Sequence, residues 1–383
     1  ILNNDAPEGE PLYEGHRAVW IREVDAQTFE PVSDAVVAVN GGLDLSEQPV
    51  WIEGPHLYKV DGKYVLSAAE GGTGPQHSQV ILIAKSPLGP FTPHPDNPIL
   101  TQRDLPEDRA EPITSVGHAD FTQDSEGNWW AVFLGTRPYQ GNEYNTGRET
   151  FLMPVSWDNG IPRITKPGDV IPHVIDRPAL PAQPKASLPL TGNFTYTDEF
   201  EEDVLPLHWL TVRIPAQKAY RLENGELVLE ARADGVGSPG QPSFLARRQQ
   251  HTNAEAYTEV SFVPEDSDDE AGIAAFQNDA AYYALGLSMS EDGKAIVRLR
   301  KRAGDATDKD GEIVAEVPAA APLGASLKLR IVSRGPEIDF YQAARGDDWE
   351  PVALGEDSTI LSTEKAGGFV GTLLGVYAQS AGD

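Results

Sequence analysis

Trp51-Ile52-Glu53-Gly54-Pro55-His56, followed by the Asp61-Gly62 dipeptide and the apolar run from Tyr64 to Ala69, sets the pattern from which the fold is read. Val50-Trp51-Ile52 predicts the end of a buried strand that Gly54-Pro55 stops. Asp61-Gly62 then reads as a two-residue hairpin turn, with a second strand after it. The same pattern continues outward. Ala18 to Glu23, Gln79 to Ala84, Trp129 to Gly135 and Thr150 to Val155 are short apolar or alternating runs, and Glu126-Gly127-Asn128 is a further turn. The chain has 36 glycines and 31 prolines to punctuate such runs, and it shows no amphipathic helical segment. It is therefore predicted to be all-β, with strand spacing in its first part that suits the blades of a β-propeller.

From Ile164 to Leu190 the pattern changes to proline every few residues, at Pro167, Pro172, Pro178, Pro181, Pro184 and Pro189. Such a segment cannot enter a sheet interior and is expected to be an extended spacer. Beyond it Glu226 to Ala231, Ala256 to Phe262, Tyr282 to Met289, Lys294 to Arg300 and Leu327 to Val332 alternate at period two, as expected of a β-sandwich. Gly368 to Gln379 reads as one more core strand. The expected organisation is a propeller part over 1–165, a linker over 166–190 and a sandwich over 191–383. Ile1-Leu2-Asn3-Asn4-Asp5 resembles the end of a strand running into an Asx-type turn, so both ends read as cut.

A net charge of −29 argues against nucleic acid or an anionic membrane as partner and favours a neutral polymer or small neutral ligand. Cysteine is absent, so no disulfide or thiolate metal site is available. There is no apolar run near the ~18 residues a membrane helix needs. Cytoplasmic and secreted locations both stay open.

Around Glu53 the chain places apolar, glycine and proline residues that would hold one carboxylate in a fixed turn beside a tryptophan. Burial there would disfavour the charged form and raise the carboxyl toward neutrality, as a general acid requires. Trp20, Trp51, Trp129 and Trp130 are candidates to offer a flat apolar face to a neutral ligand, with most expected in the core. Four further stretches accompany Glu53-Gly54-Pro55-His56: Glu70-Gly71-Gly72-Thr73, Asp96-Asn97-Pro98-Ile99-Leu100, Gly117-His118-Ala119-Asp120 and Gly147-Arg148-Glu149-Thr150. In this order the five resemble glycoside hydrolase family 43, the five-bladed propeller enzymes with β-xylosidase and α-L-arabinofuranosidase activities. The region after 191 is similar to the concanavalin-like β-sandwich of the xylosidase-type members.

The resemblance implies a fold and a site. The fold is a five-bladed propeller, partial in this chain, followed by the sandwich. Glu53 matches the general acid, Thr73 a residue lining the sugar pocket, and Arg148 a pocket arginine. His118 matches a histidine that contacts the sugar or a water-ligated calcium; no other cofactor is implied. Leu373 stands where xylosidases place a phenylalanine at the pocket mouth. The base aspartate of the family's first blade, and the aspartate that tunes the acid, have no counterpart here, and Asp120 is read as structural. The expected function is an inverting exo-glycosidase acting on xylan or arabinoxylan oligosaccharides, its base supplied from outside this chain, whether by a second chain carrying the N-terminal blades or otherwise. The alternative is a non-catalytic carbohydrate-binding or scaffold protein.

Overall fold

In the computed structural model of this chain, residues 1–181, 183–184 and 192–380 are described. They fall into two compact units: Ile1–Pro138 with Arg148–Pro184, and Tyr139–Gly147 with the residues beyond Pro184.

The first unit is built of antiparallel meanders. β1 (Leu2–Asp5), β2 (Arg17–Ile21) and β3 (Val36–Asn40) form one sheet. β4 (Glu53–Val60), β5 (Lys63–Glu70), β6 (Ser78–Ala84) and β7 (Thr92–Pro93) form the second, with β8 (Leu100–Thr101) also pairing with β6. β9 (Thr114–Gln123), β10 (Trp129–Thr136) and β11 (Glu149–Pro154) form the third, and β12 (Ser156–Asp158) pairs with β13 (Ile161–Arg163). Alternation explains how the sheets stack. Val65 and Ile81 point to one side, into a core with Val116, Phe121, Ala131 and Phe133. Leu66, Ala68, Val80 and Leu82 point to the other, into a core with Val19, Val39 and Ile52. The second sheet thus lies between its neighbours in the manner of a propeller blade, each buried aliphatic contributing roughly 1.5–3 kcal/mol.

Two expectations about this unit are corrected. Val50-Trp51-Ile52 is not a strand end and only Ile52 is buried: Val50 and Trp51 are 42% and 44% exposed, Trp51 has φ +44, and the strand begins at Glu53. Gly54-Pro55 does not stop it either. Glu53 pairs with Ala69 and His56 with Ser67, so one extra residue is absorbed as a β-bulge with Gly54 at φ +55. The proline-rich segment is also no free spacer through Pro184. Ile171 is 1% exposed in the first unit's core, Gln102 donates to Asp169 O at 2.7 Å, and Ala179 N donates to Asp124 at 3.2 Å. Prolines spaced along a chain forbid a sheet but permit this kind of docking. Pro189 and the expected boundary at 191 lie outside the described residues.

The second unit pairs a seven-stranded with a four-stranded antiparallel sheet. The larger runs Leu210–Thr211, Ser243–Arg248, Leu373–Gln379, Glu270–Asn278, Ala281–Met289, Ala295–Ala303 and Glu312–Pro318. The smaller runs Asn253–Val260, Leu327–Arg334, Glu337–Ala343 and Glu350–Asp357. Ile273, Tyr283, Leu285, Leu329, Ile331 and Phe340 fill the space between them. Phe244, Phe276, Tyr282 and Tyr377 form a second cluster. Glu270–Asn278 and Ala281–Met289 are consequently buried nearly throughout instead of alternating. The last strand starts at Leu373, not Gly368, and Phe369 and Val370 are 62% and 47% exposed.

Tyr139–Gly147, lying in sequence between β10 and β11, is part of this second unit. Asn145, 1% exposed, donates to Ser358 Oγ at 2.7 Å, Tyr144 N donates to Ser362 Oγ at 3.0 Å, and Thr372 N donates to Asn145 O at 2.8 Å.

Candidate active site

Three left-handed residues shape the first unit's site. Gly54 forms the bulge in β4. In β9, Asp120 pairs with Val132, Gly117 with Leu134 and Thr114 with Thr136, so two extra residues are absorbed in a row. Ser115 and His118, at φ +55 and +56, are the left-handed residues of these two bulges. For a residue with a Cβ this conformation costs about 1–2 kcal/mol and persists only where neighbours over-determine it.

The bulges bring Glu53, His118 and the Glu70-to-Thr73 turn into one region. His118 packs directly on Gly54, where a Cβ would stand 2.2 Å from its Nε2, so the imidazole lies one residue from Glu53. The Glu70-to-Thr73 turn follows the strand paired with Glu53, and Gly71 N donates to Val50 O at 2.9 Å. Gly71 and Gly72 have φ +99 and +65, the positive angles that make this turn need glycine. Thr73 Oγ1 is buried with no protein hydrogen-bond partner. Arg148 begins the run into β11 with its Nε buried, and Glu149 is held bidentately by Arg137 at 2.7 Å on both bonds. An open cavity of about 410 Å³ beside β9 is lined by His118, Asp120, Thr122 and Thr150, among others.

The other candidates divide. Trp51 lies over Gly72 and Gly15, each about 3.5 Å from where their Cβ would be, and remains partly exposed. Trp129 packs on Tyr58 and Trp157 in the core, Trp130 donates to Asp124 at 3.1 Å, and Trp20 donates to Asp5 O at 3.0 Å. Asp120 accepts from Tyr58 Oη and lies 3.5 Å from His56 Nδ1, a structural set of contacts. Leu373 is in the second unit and packs against its Phe244 and Phe276 cluster.

The burial of Glu70, and His77 altogether, were not read from the sequence. Glu70 is 8% exposed and accepts from Leu43 N at 2.8 Å. Burial raises its pKa, opposed by the Leu43 hydrogen bond and the Arg103 charge. His77 is 1% exposed and its Nδ1–H donates to Ser115 O at 2.8 Å. Burial pushes His77 down to about 4; the bond to Ser115 opposes this, and the neighbouring His118 and Arg148 add to it. The available signal for His77 was a histidine placed at the head of an apolar strand, four residues after a glycine-rich turn.

Calcium takes six to eight oxygen ligands. Among the described residues no group of three or more His, Asp or Glu could hold a metal ion, and the buried His77 lies close enough to His118 to feel its charge.

Residues 1–162 match the family model described as Glycosyl hydrolases family 43, and residues 197–383 match the Beta xylosidase C-terminal Concanavalin A-like domain. A xylosidase/arabinosidase of Butyrivibrio fibrisolvens is 31% identical over 97% of this chain and 68% of its own length. The chain belongs to glycosyl hydrolases family 43. A non-reducing end alpha-L-arabinofuranosidase of Bacteroides ovatus, BoGH43B, is 35% identical over 97% of this family 43 chain and 66% of its own. The crystal structure of a GH43_12 protein retrieved from capybara gut metagenome is 33% identical, with a TM-score of 0.83, covering 98% of this chain and 69% of that one. The chain thus spans about two thirds of the length of the curated relatives it matches. Its all-β architecture, propeller-type meanders followed by a concanavalin-like sandwich, is that of this family.

Proposed function

We propose that this chain carries the acid half of an inverting, exo-acting glycosidase site that releases xylose or arabinofuranose from xylan-derived oligosaccharides or side chains. The observation that carries this reading is that His118 packs on Gly54 beside Glu53, next to the turn that ends at Thr73, while the charge of Arg148 reaches His77 behind the β9 bulges. Relatives named arabinofuranosidase and xylosidase/arabinosidase support the substrate class.

Glu53 protonates the departing glycosidic oxygen. Inversion needs a second carboxylate to take a proton from water on the opposite face of the sugar, ~6.5–9.5 Å from the acid. That base is an aspartate supplied from outside these residues, by a further segment or a second chain bearing the N-terminal blades. The unpartnered Thr73 hydroxyl, the planar donor fork of Arg148 and the His118 ring bind sugar hydroxyls, while Trp51 offers an apolar face to the ring. No step requires a metal or organic cofactor.

The test is Glu53→Gln in this protein. Its kcat should fall by about 10²–10⁴-fold on unactivated xylo-oligosaccharides and be largely spared on aryl glycosides with good leaving groups, since only the former need the proton. Equal losses on both would remove Glu53 from the acid role, and NMR detection of a first-formed sugar with retained anomeric configuration would remove the inverting mechanism.

A further inference from the structure

Two consecutive bulges in one strand, each with a non-glycine residue in the left-handed region, need a brace. The brace is visible from both sides. On one side His118 rests against Gly54. On the other the His77 ring lies against Gly117, where a Cβ would stand 2.7 Å from Cε1 and 2.8 Å from Nε2, while Nδ1–H donates to the carbonyl of Ser115. His77 therefore touches the backbone at the first left-handed residue and again at the residue immediately before the second. The hydrogen bond also fixes its tautomer: with the proton on Nδ1, Nε2 is a bare acceptor, buried and without a protein partner. Leaving such an atom unmet costs about 1–3 kcal/mol, so packing alone would favour an apolar side chain here.

We infer that His77 is a positioning residue for His118: through Ser115 O and Gly117 it holds the double bulge of β9, and the bulge sets the direction in which the His118 imidazole points. It acts on the sugar only through His118 and does not touch it. The inference concerns the site proposed above, yet it stands on backbone geometry and can fail separately from it.

The experiment uses the full chain. The His118 ring resonance is assigned as the one of eight histidine signals missing in His118→Gln. His77→Leu, which keeps bulk and loses the donor, should shift or split that signal, whereas His77→Asn, which can place an N–H near the Nδ1 position, should return it toward its parent position. Xylose and arabinose affinity should follow the same order, about tenfold weaker for His77→Leu, a change of ~1.4 kcal/mol. If His77→Leu does not fold, Gly117→Ala carries the test, because its methyl displaces the ring without deleting it. An unmoved His118 signal in the folded variants overturns the inference. So does equal perturbation by Asn and Leu, which would make the role one of bulk. A parent chain with a well-placed His118 signal that binds neither sugar would count against the proposed function and leave this inference standing.

Discussion

At the scale of single residues, the site region contains a carboxyl that burial holds toward its neutral form. Glu70 has its pKa raised by burial, against the pull of Leu43 N–H and Arg103. A folded pKa above the unfolded value, near 4.3, means the folded state binds the proton more tightly, so this group's contribution to stability declines as pH rises from about 4 through the folded pKa. Glu70→Gln keeps an acceptor for Leu43 N–H and removes the desolvated charge. Its melting temperature should match the parent's near pH 4 and exceed it at pH 7, read by thermal unfolding at the two values. A variant less stable at pH 7 than at pH 4, relative to the parent, would show that Arg103 outweighs the burial. Glu70-Gly71-Gly72-Thr73 was legible as a turn because glycines mark positive φ, but burial of its glutamate was not, since that depends on Gly42 and Leu43 reaching it from the loop after β3.

At the scale of elements, the bulges decide the site. The positive φ of Gly54 and its contact with His118 make Gly54→Ala a direct probe. The added methyl is strained by about 1–2 kcal/mol in the left-handed region and must displace the imidazole. Sugar affinity should fall further than the modest loss of melting temperature explains; calorimetric titration together with thermal unfolding reads both. An affinity preserved in a destabilised variant would separate His118 from sugar binding. The strands themselves were readable: Tyr64 to Ala69 and Trp129 to Gly135 match β5 and β10 to within a residue or two at each end. Period-two apolar patterning is local information. The bulges were not readable, because an extra residue is defined only against the partner strand, and Gly54-Pro55 carries the same local signature as a strand stop.

At the scale of the whole molecule, nine residues between β10 and β11 belong with the sandwich. Tyr139–Gly147 is held by Ser358, Ser362 and Thr372, and a Cβ on Gly147 would stand 2.3 Å from Gly371 N. A chain ending at Pro184 loses these partners, so limited proteolysis should cut it within 139–147 while sparing the same segment in the full chain. Equal cutting in both would mean the segment is protected by other means. The sequence by itself determined the all-β class, the change of architecture after a proline-rich stretch, the family, and the identities of Glu53, Thr73, His118 and Arg148 as the residues to examine, because strand period, turn residues and motifs are written in neighbouring positions. Only the tertiary structure decided that Glu53 opens a strand, that Ile171 is core and not linker, that His77 braces the strand carrying His118, and that Gly147 and Gly371 meet. These depend on which distant backbones come within a few ångströms, and a close approach of that kind leaves no local trace beyond a glycine, a proline or a single buried histidine.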